Sequence, residues 1–425
     1  MTEQQPIQPE AQQEPVVQQE AAPIREKKPK KLHVVIACGY VGTNYNGSQM
    51  QNGKNALVAT TIEGEIAKVL IKLGYCPEDD LRQIDMERTS RTDSKVSAAM
   101  AIFTLWCTNT TTLHEELNEH LPADIRVYGV MRTTPRFDCR AMCTSRRYEY
   151  LAPVQMFYST IYEEKKVQYK AFLAEQQANL QLIARPESFV MQQVEFVQPE
   201  AGLTNEQLVK FFNENTREKL NQFTKMCYSD YNAYYYNFTS ENKISTISST
   251  VRKYDQFEFN EAFLINGKAF TKISIHGIAF LYNQIRKMVT AVSLVARNQC
   301  PPSWMSRALT GRVEFKTEIP TAPGEYLMLL RQEFKGYEKS EEMKIYGDML
   351  SNREEIKQKA EQFKQIIHEQ ILAVSDEIWQ GYLAQMDEFA THVDGYELGK
   401  EAVLREIKIA EILRENKVQM QVQME

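Results

Sequence analysis

The chain has 425 residues, 43% hydrophobic, 10% aromatic and 25% charged, with only 17 Gly and 15 Pro. That balance excludes collagen-like, mucin-like and wholly disordered classes and is enough for one large domain or two ordinary ones. The net charge of −6 is uneven: residues 1–23 hold four acids and no Lys or Arg, residues 24–334 hold 38 basic against 33 acidic residues, and residues 335–425 hold 12 against 19, so a mildly basic body lies between acidic ends.

Residues 1–24, rich in Gln, Glu and Pro, cannot offset their ordering entropy by burial and read as a disordered tail. Lys27, Lys28, Lys30 and Lys31 around Pro29 are either a nuclear-import cluster or a solvating ramp. Leu32–Tyr40 is an apolar, β-rich run, and Ile62, Ile66, Val69, Leu70 and Leu73 recur at helical spacing behind a Thr60-x-x-Glu63 capping box. Met100–Cys107, apolar on both faces, predicts a covered central strand. A helix over 113–121 follows, then strands over 125–133 and 146–151. Residues 163–200 are weakly patterned and read as an insertion. A second set comprises a helix near 205–226, strands near 248–258 and 268–275, an amphipathic helix over 280–297, a short helix over 303–310 and a strand over 326–334. Two consecutive mixed sets predict an α+β body. Beyond about 340 the chain turns to charged helices, with Ile366, Ile367, Ile371, Val374 and Ile378 as an apolar stripe and a frayed end.

No apolar run reaches the roughly 18 residues of a membrane span, and the first 24 residues lack a signal-peptide core, so a soluble chain with no membrane partner is expected. Seven scattered cysteines argue against a disulfide framework and for a reducing compartment. Cys139 and Cys143 have neither a second pair nor a nearby histidine, and read as packed small residues rather than metal ligands.

Three segments could carry chemistry. Arg91-Thr92-Asp93-Ser94 sets an Arg and an Asp on a loop before the covered strand, either as reactive groups or as an Asp capping its own turn. In the segment Ile275 to Val289, the stripe Leu281, Ile285, Met288, Val292 and Val295 leaves Tyr282 and Arg286 one turn apart on its rim. Arg286 there either reaches a cleft or merely solubilises the helix. Alternation in Cys143 to Tyr150 puts Arg146, Tyr148 and Tyr150 on one strand face, which suits packing and equally suits stacking an unpaired base. Arg126, Arg132, Arg136, Arg140, Arg146 and Arg147 fall within 22 residues opposed only by Asp138, and guanidinium forks favour phosphate.

In this order, these segments resemble the TruA-type tRNA pseudouridine synthases, closest to the eukaryotic pseudouridylate synthase 1 type. The resemblance rests on Tyr40 to Gln49 (YVGTNYNGSQ), Arg91-Thr92-Asp93 followed by Val96-Ser97-Ala98, Phe137 to Tyr150 ending SRRYEY, and IHGIAFLYNQIRKMV. Weaker echoes are Tyr236-Asn237-Phe238-Thr239 and Ala322-Pro323-Gly324, so that about residues 31–335 are covered. The resemblance implies a pseudouridine synthase fold: two similar α/β halves sharing one long, mostly antiparallel sheet with a central cleft. It implies a catalytic Asp93, an active-site Tyr148 that stacks on the target base, and Arg286 as basic partner of the carboxylate. Arg91 would help extrude the target nucleotide, and the Arg126–Arg147 stretch would line a phosphate track. The reaction isomerises uridine in tRNA, with small nuclear RNA a further candidate substrate, and calls for no cofactor and no metal.

The implied organisation is a tail over 1–30, an N-terminal catalytic half over 31–160, an insertion over 161–204, a C-terminal catalytic half over 205–335 and an acidic helical extension over 336–425. A nuclear location is expected, and monomer and homodimer both stay open. Lys95 stands where the family usually has Gly, and Val41 where an acidic or small polar residue is common. If position 95 needs a positive φ, Lys costs about 1–2 kcal/mol there. That departure sustains a second reading, an RNA-binding protein or tRNA chaperone of the same fold that modifies nothing.

Overall fold

The computed structural model describes residues 30–51, 60–75, 84–108, 111–159, 163–180, 194–228, 234–240, 246–309 and 317–422. Its strands are β1 (Leu32–Tyr40), β2 (Glu87–Arg88), β3 (Ser97–Cys107), β4 (Ile125–Arg132), β5 (Ser145–Pro153), β6 (Tyr254–Phe259), β7 (Phe263–Ile265), β8 (Lys268–Gly277) and β9 (Leu327–Glu333). The helices between β1 and β6 are α1 (Ile62–Lys72), α2 (Leu113–His120), α3 (Cys139–Met142), α4 (Glu163–Glu175), α5 (Gln177–Leu180), α6 (Asn205–Phe211) and α7 (Arg217–Tyr228). After β8 come α8 (Gln284–Ala296), α9 (Pro302–Ala308), α10 (Glu341–Tyr346), α11 (Glu354–Leu372), α12 (Asp376–His392) and α13 (Gly395–Val422). The chain is α+β.

The strands form one sheet in the order β4-β1-β3-β9-β5-β8-β6, with β2 beside β3 and β7 beside β8. Every described pairing is antiparallel except β3 with β9, where Ser97 lies opposite Met328 and Ala98 opposite Leu329. β9 therefore enters between two strands that precede it by more than 170 residues. β3 is buried at all but one of its eleven positions, as expected of an apolar strand with neighbours on both edges.

Helix α11 lies across β1, β3 and β4. It buries Ile356, Ala360, Phe363, Ile367 and Ile371, the 3.6-residue stripe that fastens it to the sheet at about 1.5–3 kcal/mol for each large side chain. Phe363 meets Tyr128 edge-on at 6.2 Å, and His368 Nε2 lies 2.8 Å from Glu149 Oε1 on β5. Helix α12 docks through Trp379 against Tyr326 and through the Tyr382 hydroxyl, 2.7 Å from Thr290 Oγ1 on α8.

Several expectations are corrected. The N-cap of α1 is Thr61, whose hydroxyl accepts from Gly64 N, not Thr60; Glu63 instead accepts from Met50 N and from Arg88. The helix near 205–226 runs to Tyr228 and is interrupted by a π turn over Phe212–Thr216. The strand near 248–258 begins only at Tyr254 and runs to Phe259, after a 3₁₀ turn over Ile247–Thr250, and the three-residue β7 was not foreseen. The amphipathic helix over 280–297 starts at Gln284 and is buried on nearly every side, so Tyr282 precedes it and is 51% exposed. The isoleucine stripe is only half right: Ile367 and Ile371 are buried, whereas Ile366 and Ile378 are exposed and the helix ends between α11 and α12. The tail over 1–29, parts of the insertion (161–162 and 181–193) and Cys76 lie outside the described residues. The other six cysteines are buried, and no described helix is long and apolar enough to cross a membrane.

Candidate active site

A cavity of about 710 Å³ opens where the loop before β3, the strand β5 and the start of α8 converge. Asp93, Tyr148, Arg286, Arg91, Arg140 and Arg146 all line it.

The Asp93 loop is held by the segment that leaves β1. Tyr40 Oη and Thr92 Oγ1 are 2.8 Å apart, Thr92 N donates to Ser48 Oγ at 2.9 Å, and Ser48 N donates back to Thr92 O at 3.1 Å. Gly42 passes so close that a Cβ there would sit 2.1 Å from the Val96 carbonyl oxygen, so only glycine fits. The motif YVGTNYNGSQ is thus the cradle of the Asp93 loop. Lys95 has φ +67°, the left-handed conformation anticipated for a glycine position. Its N–H donates to Tyr45 O at 3.0 Å and its Nζ to Glu325 Oε1 at 2.8 Å.

Opposite stands Asn283, at φ +61°, a conformation Asn tolerates. Its backbone amide favours the ionised form of the Asp93 carboxylate. Its Oδ1 accepts from Arg286 Nη1 at 3.0 Å, while Arg286 Nε donates to Ala322 O at 2.5 Å. Burial pushes the Asp93 carboxyl above the usual carboxylate range, against the Arg286 guanidinium and the Asn283 amide, which favour ionisation. Among the described residues no ion pair within 4.0 Å joins Asp93 to Arg286. Both groups line the same cavity.

Tyr148 is buried, with its hydroxyl 3.1 Å from Ser90 Oγ and its ring edge-on to Phe280 at 5.3 Å. Burial pushes its hydroxyl up to about 12, so it is a protonated phenol at neutral pH. Phe280 in turn stacks on Tyr254 at 5.2 Å. The cavity thus offers a carboxylate, a guanidinium, a phenol and aromatic faces within one enclosure, which suits an unpaired base and its sugar.

The six arginines of residues 126–147 do not form one track. Arg140 is exposed at the cavity. Arg146 is 9% exposed, with Nη2 donating to Thr89 O at 2.8 Å and Nη1 to Ile278 O at 2.6 Å, so it ties the two cavity loops together. Arg147 points to the other face of β5 and binds Glu333 Oε1 at 3.0 Å. Arg126 on β4 donates to the Pro122 and Ile125 carbonyls, and Arg132 and Arg136 are exposed; none of these three lines the cavity. The separation follows from the sheet: alternation sends neighbouring β5 side chains to opposite faces, and β4 lies at an edge. Sequence reasoning missed Arg88, Ser90, Arg252, Phe280 and Asn283 as lining residues. Phe280 and Asn283 sit inside a recognised motif; Arg252 lies in none.

The profile of a family described as tRNA pseudouridine synthase matches residues 232–335. The chain is 31% identical over 356 residues to tRNA pseudouridine synthase 1 of Saccharomyces cerevisiae, 28% over 357 residues to tRNA pseudouridine synthase 1 of Yarrowia lipolytica, and 29% over 307 residues to the pseudouridylate synthase 1 homolog of Homo sapiens. It is similar to the TruA-type tRNA pseudouridine synthases. The alignments take in 74%, 74% and 72% of this chain, and 63%, 66% and 60% of those relatives. The chain therefore spans under two thirds of each of these three synthases. The profile match contains Arg286, Asn283 and the Ala322–Glu325 segment, and ends just after β9.

Proposed function

We propose that this chain is a tRNA pseudouridine synthase, an isomerase that converts specific uridines to pseudouridine with Asp93 as the catalytic carboxylate. The observation that carries the reading is that Asp93, Arg286, Tyr148 and Phe280 line one cavity. A carboxylate must be ionised to act at C1′ of the ribose, either by adding to it or by removing a ribose proton, and burial alone would neutralise it. Arg286 and the Asn283 amide supply the opposing charge. The bond from uracil N1 to C1′ breaks, the base turns, and C5 bonds to C1′ in its place; the proton displaced from C5 leaves and one is gained at N1. Atoms balance with no redox step. Tyr148 packs against the base and, as a neutral phenol beside Ser90, relays the C5 proton rather than abstracting it as a phenolate. Arg91, exposed at the cavity rim, fills the gap left by the extruded nucleotide.

Residues 31–160 and 205–335 are read as two joined α/β halves with β9 and β5 exchanged at their junction, which puts the cavity between them. Import into the nucleus through Lys27–Lys31 is part of the same reading, and small nuclear RNA is a second substrate class to be assayed with tRNA.

The alternative, a tRNA chaperone that keeps the fold without modifying RNA, drew its support from Lys95. That residue does adopt the left-handed backbone, where a non-glycine costs about 1–2 kcal/mol, so the two readings are separated by activity. The deciding experiment is pseudouridine formation on unmodified tRNA transcripts by the purified chain. Asp93→Asn is expected to abolish product while tRNA binding persists. Equal product from both proteins, or none from the unsubstituted protein, would refute the assignment.

A further inference from the structure

The loop that carries Asp93 and the helix that carries Arg286 both lean on one short strap, Ala322–Glu325, immediately before β9. Arg286 Nε donates to Ala322 O at 2.5 Å, and Tyr150 Oη donates to Pro323 O at 3.2 Å. At Gly324 a Cβ would stand 2.7 Å from Ser94 O and 3.5 Å from Arg286 Cζ, so the strap is wedged between the two sides of the site. Glu325, with a side chain only 4% exposed, binds Lys95 Nζ at 2.8 Å. Asp93 and Arg286 are not themselves paired, so their separation is set by what each is fastened to.

We propose that Lys95 and Glu325 are a positioning pair that fixes the Asp93 loop against the strap and thereby sets its distance from Arg286. The proposal rests on the reading of Asp93 as the catalytic carboxylate. Position 95 tolerates its left-handed backbone because both ends of the residue are tied, the N–H to Tyr45 O and the ammonium to Glu325. The pair also settles a competition of charge. Since a Cβ on the neighbouring Gly324 would stand 3.5 Å from Arg286 Cζ, a Glu325 carboxylate stripped of its lysine would be a buried, uncompensated anion near Arg286. It would draw on the guanidinium that Asp93 needs. Lys95 neutralises it and leaves Arg286 to face the cavity.

The test compares the unsubstituted chain with Lys95→Met, Glu325→Gln, the double variant and Lys95→Arg, by single-turnover pseudouridine formation, tRNA affinity, thermal midpoint and deuterium exchange over 92–96. Each single substitution is expected to lower the turnover rate by roughly 10- to 100-fold with tRNA affinity unchanged. The double variant should fall no further than the poorer single one, because the two residues act through each other. Lys95→Arg should restore most of the rate, and both singles should exchange faster over 92–96. Additive losses, rates that merely follow the thermal midpoint, or unchanged exchange would overturn the proposal. So would a Lys95→Met protein that loses tRNA affinity and salt dependence while Glu325→Gln is silent, the pattern of a phosphate contact. A chain that makes no pseudouridine at all would sink the reading of Asp93; the exchange measurement would still judge the pair.

Discussion

Asp93 is a carboxylate that the fold holds at a cost. Its ionisation lies above the usual range because burial outweighs Arg286 and the Asn283 amide. A carboxyl whose folded value exceeds its free value, near 3.9, adds stability below that free value and loses it as pH rises through the folded one. Asp93→Asn should therefore raise the thermal midpoint at neutral pH and leave it unchanged in strong acid. A scan of midpoint against pH checks this, and a lower midpoint at neutral pH would contradict it. The same balance explains what was legible at this scale. Asp93, Tyr148 and Arg286 stood out because each sits in a motif whose order along the chain is distinctive. Arg146 stood out for the wrong reason: its charge suggested phosphate, but its position on an interior strand sends the guanidinium to the Thr89 and Ile278 carbonyls.

At the scale of elements, the segment leaving β1 acts as a mould. Gly42 donates its N–H to Ser97 Oγ at 2.9 Å and lies against the Val96 carbonyl. Gly42→Ala must push backbone against backbone, at about 1–3 kcal/mol of overpacking, and so shift the Asp93 loop. The expected outcome is a folded protein with a lower denaturant midpoint and a turnover rate reduced by roughly 100-fold; an unchanged rate would show that the loop keeps its place without this contact. Strands were readable where composition and period agreed, as in β1, whose bounds match the apolar run. Helix starts were less so. Thr60 and Thr61 offer the same hydroxyl one residue apart, and only packing chose Thr61. Asn283 breaks the helical run that periodicity extends back to Phe280, and a left-handed asparagine leaves no trace in a hydrophobic pattern.

For the whole molecule, the decisive property is that strands distant in sequence interleave. Glu333 on β9 gathers Arg147 and Ser145 of β5 and Arg331 of its own strand. Burial works against its ionisation, yet these partners hold it down at about 2. Its stabilising effect is present above the free glutamate value of about 4.3 and is lost as pH falls from there towards 2. Glu149, held below the usual range despite burial by His368 and Lys364 of α11, titrates in the same direction. Acid unfolding should accordingly steepen below pH ~4.3, and Glu333→Gln should lower stability at neutral pH while flattening that decline; an unaltered acid limb would count against it. This long-range pairing is the part that a single sequence hides, because alternation and burial name a strand but not its neighbour.

The parallel contact between β3 and β9 also has a temporal meaning. Lys95 and Glu325 are 230 residues apart, and ribosomes add about 5–20 residues each second. For about 10–50 s of synthesis, the nascent chain therefore carries its carboxylate loop without the strap or the guanidinium that complete it. On the reading of Asp93 as the reactive carboxylate, the site is not assembled until the body is nearly finished, so its competence is tied to completion of the sheet rather than to appearance of that one residue.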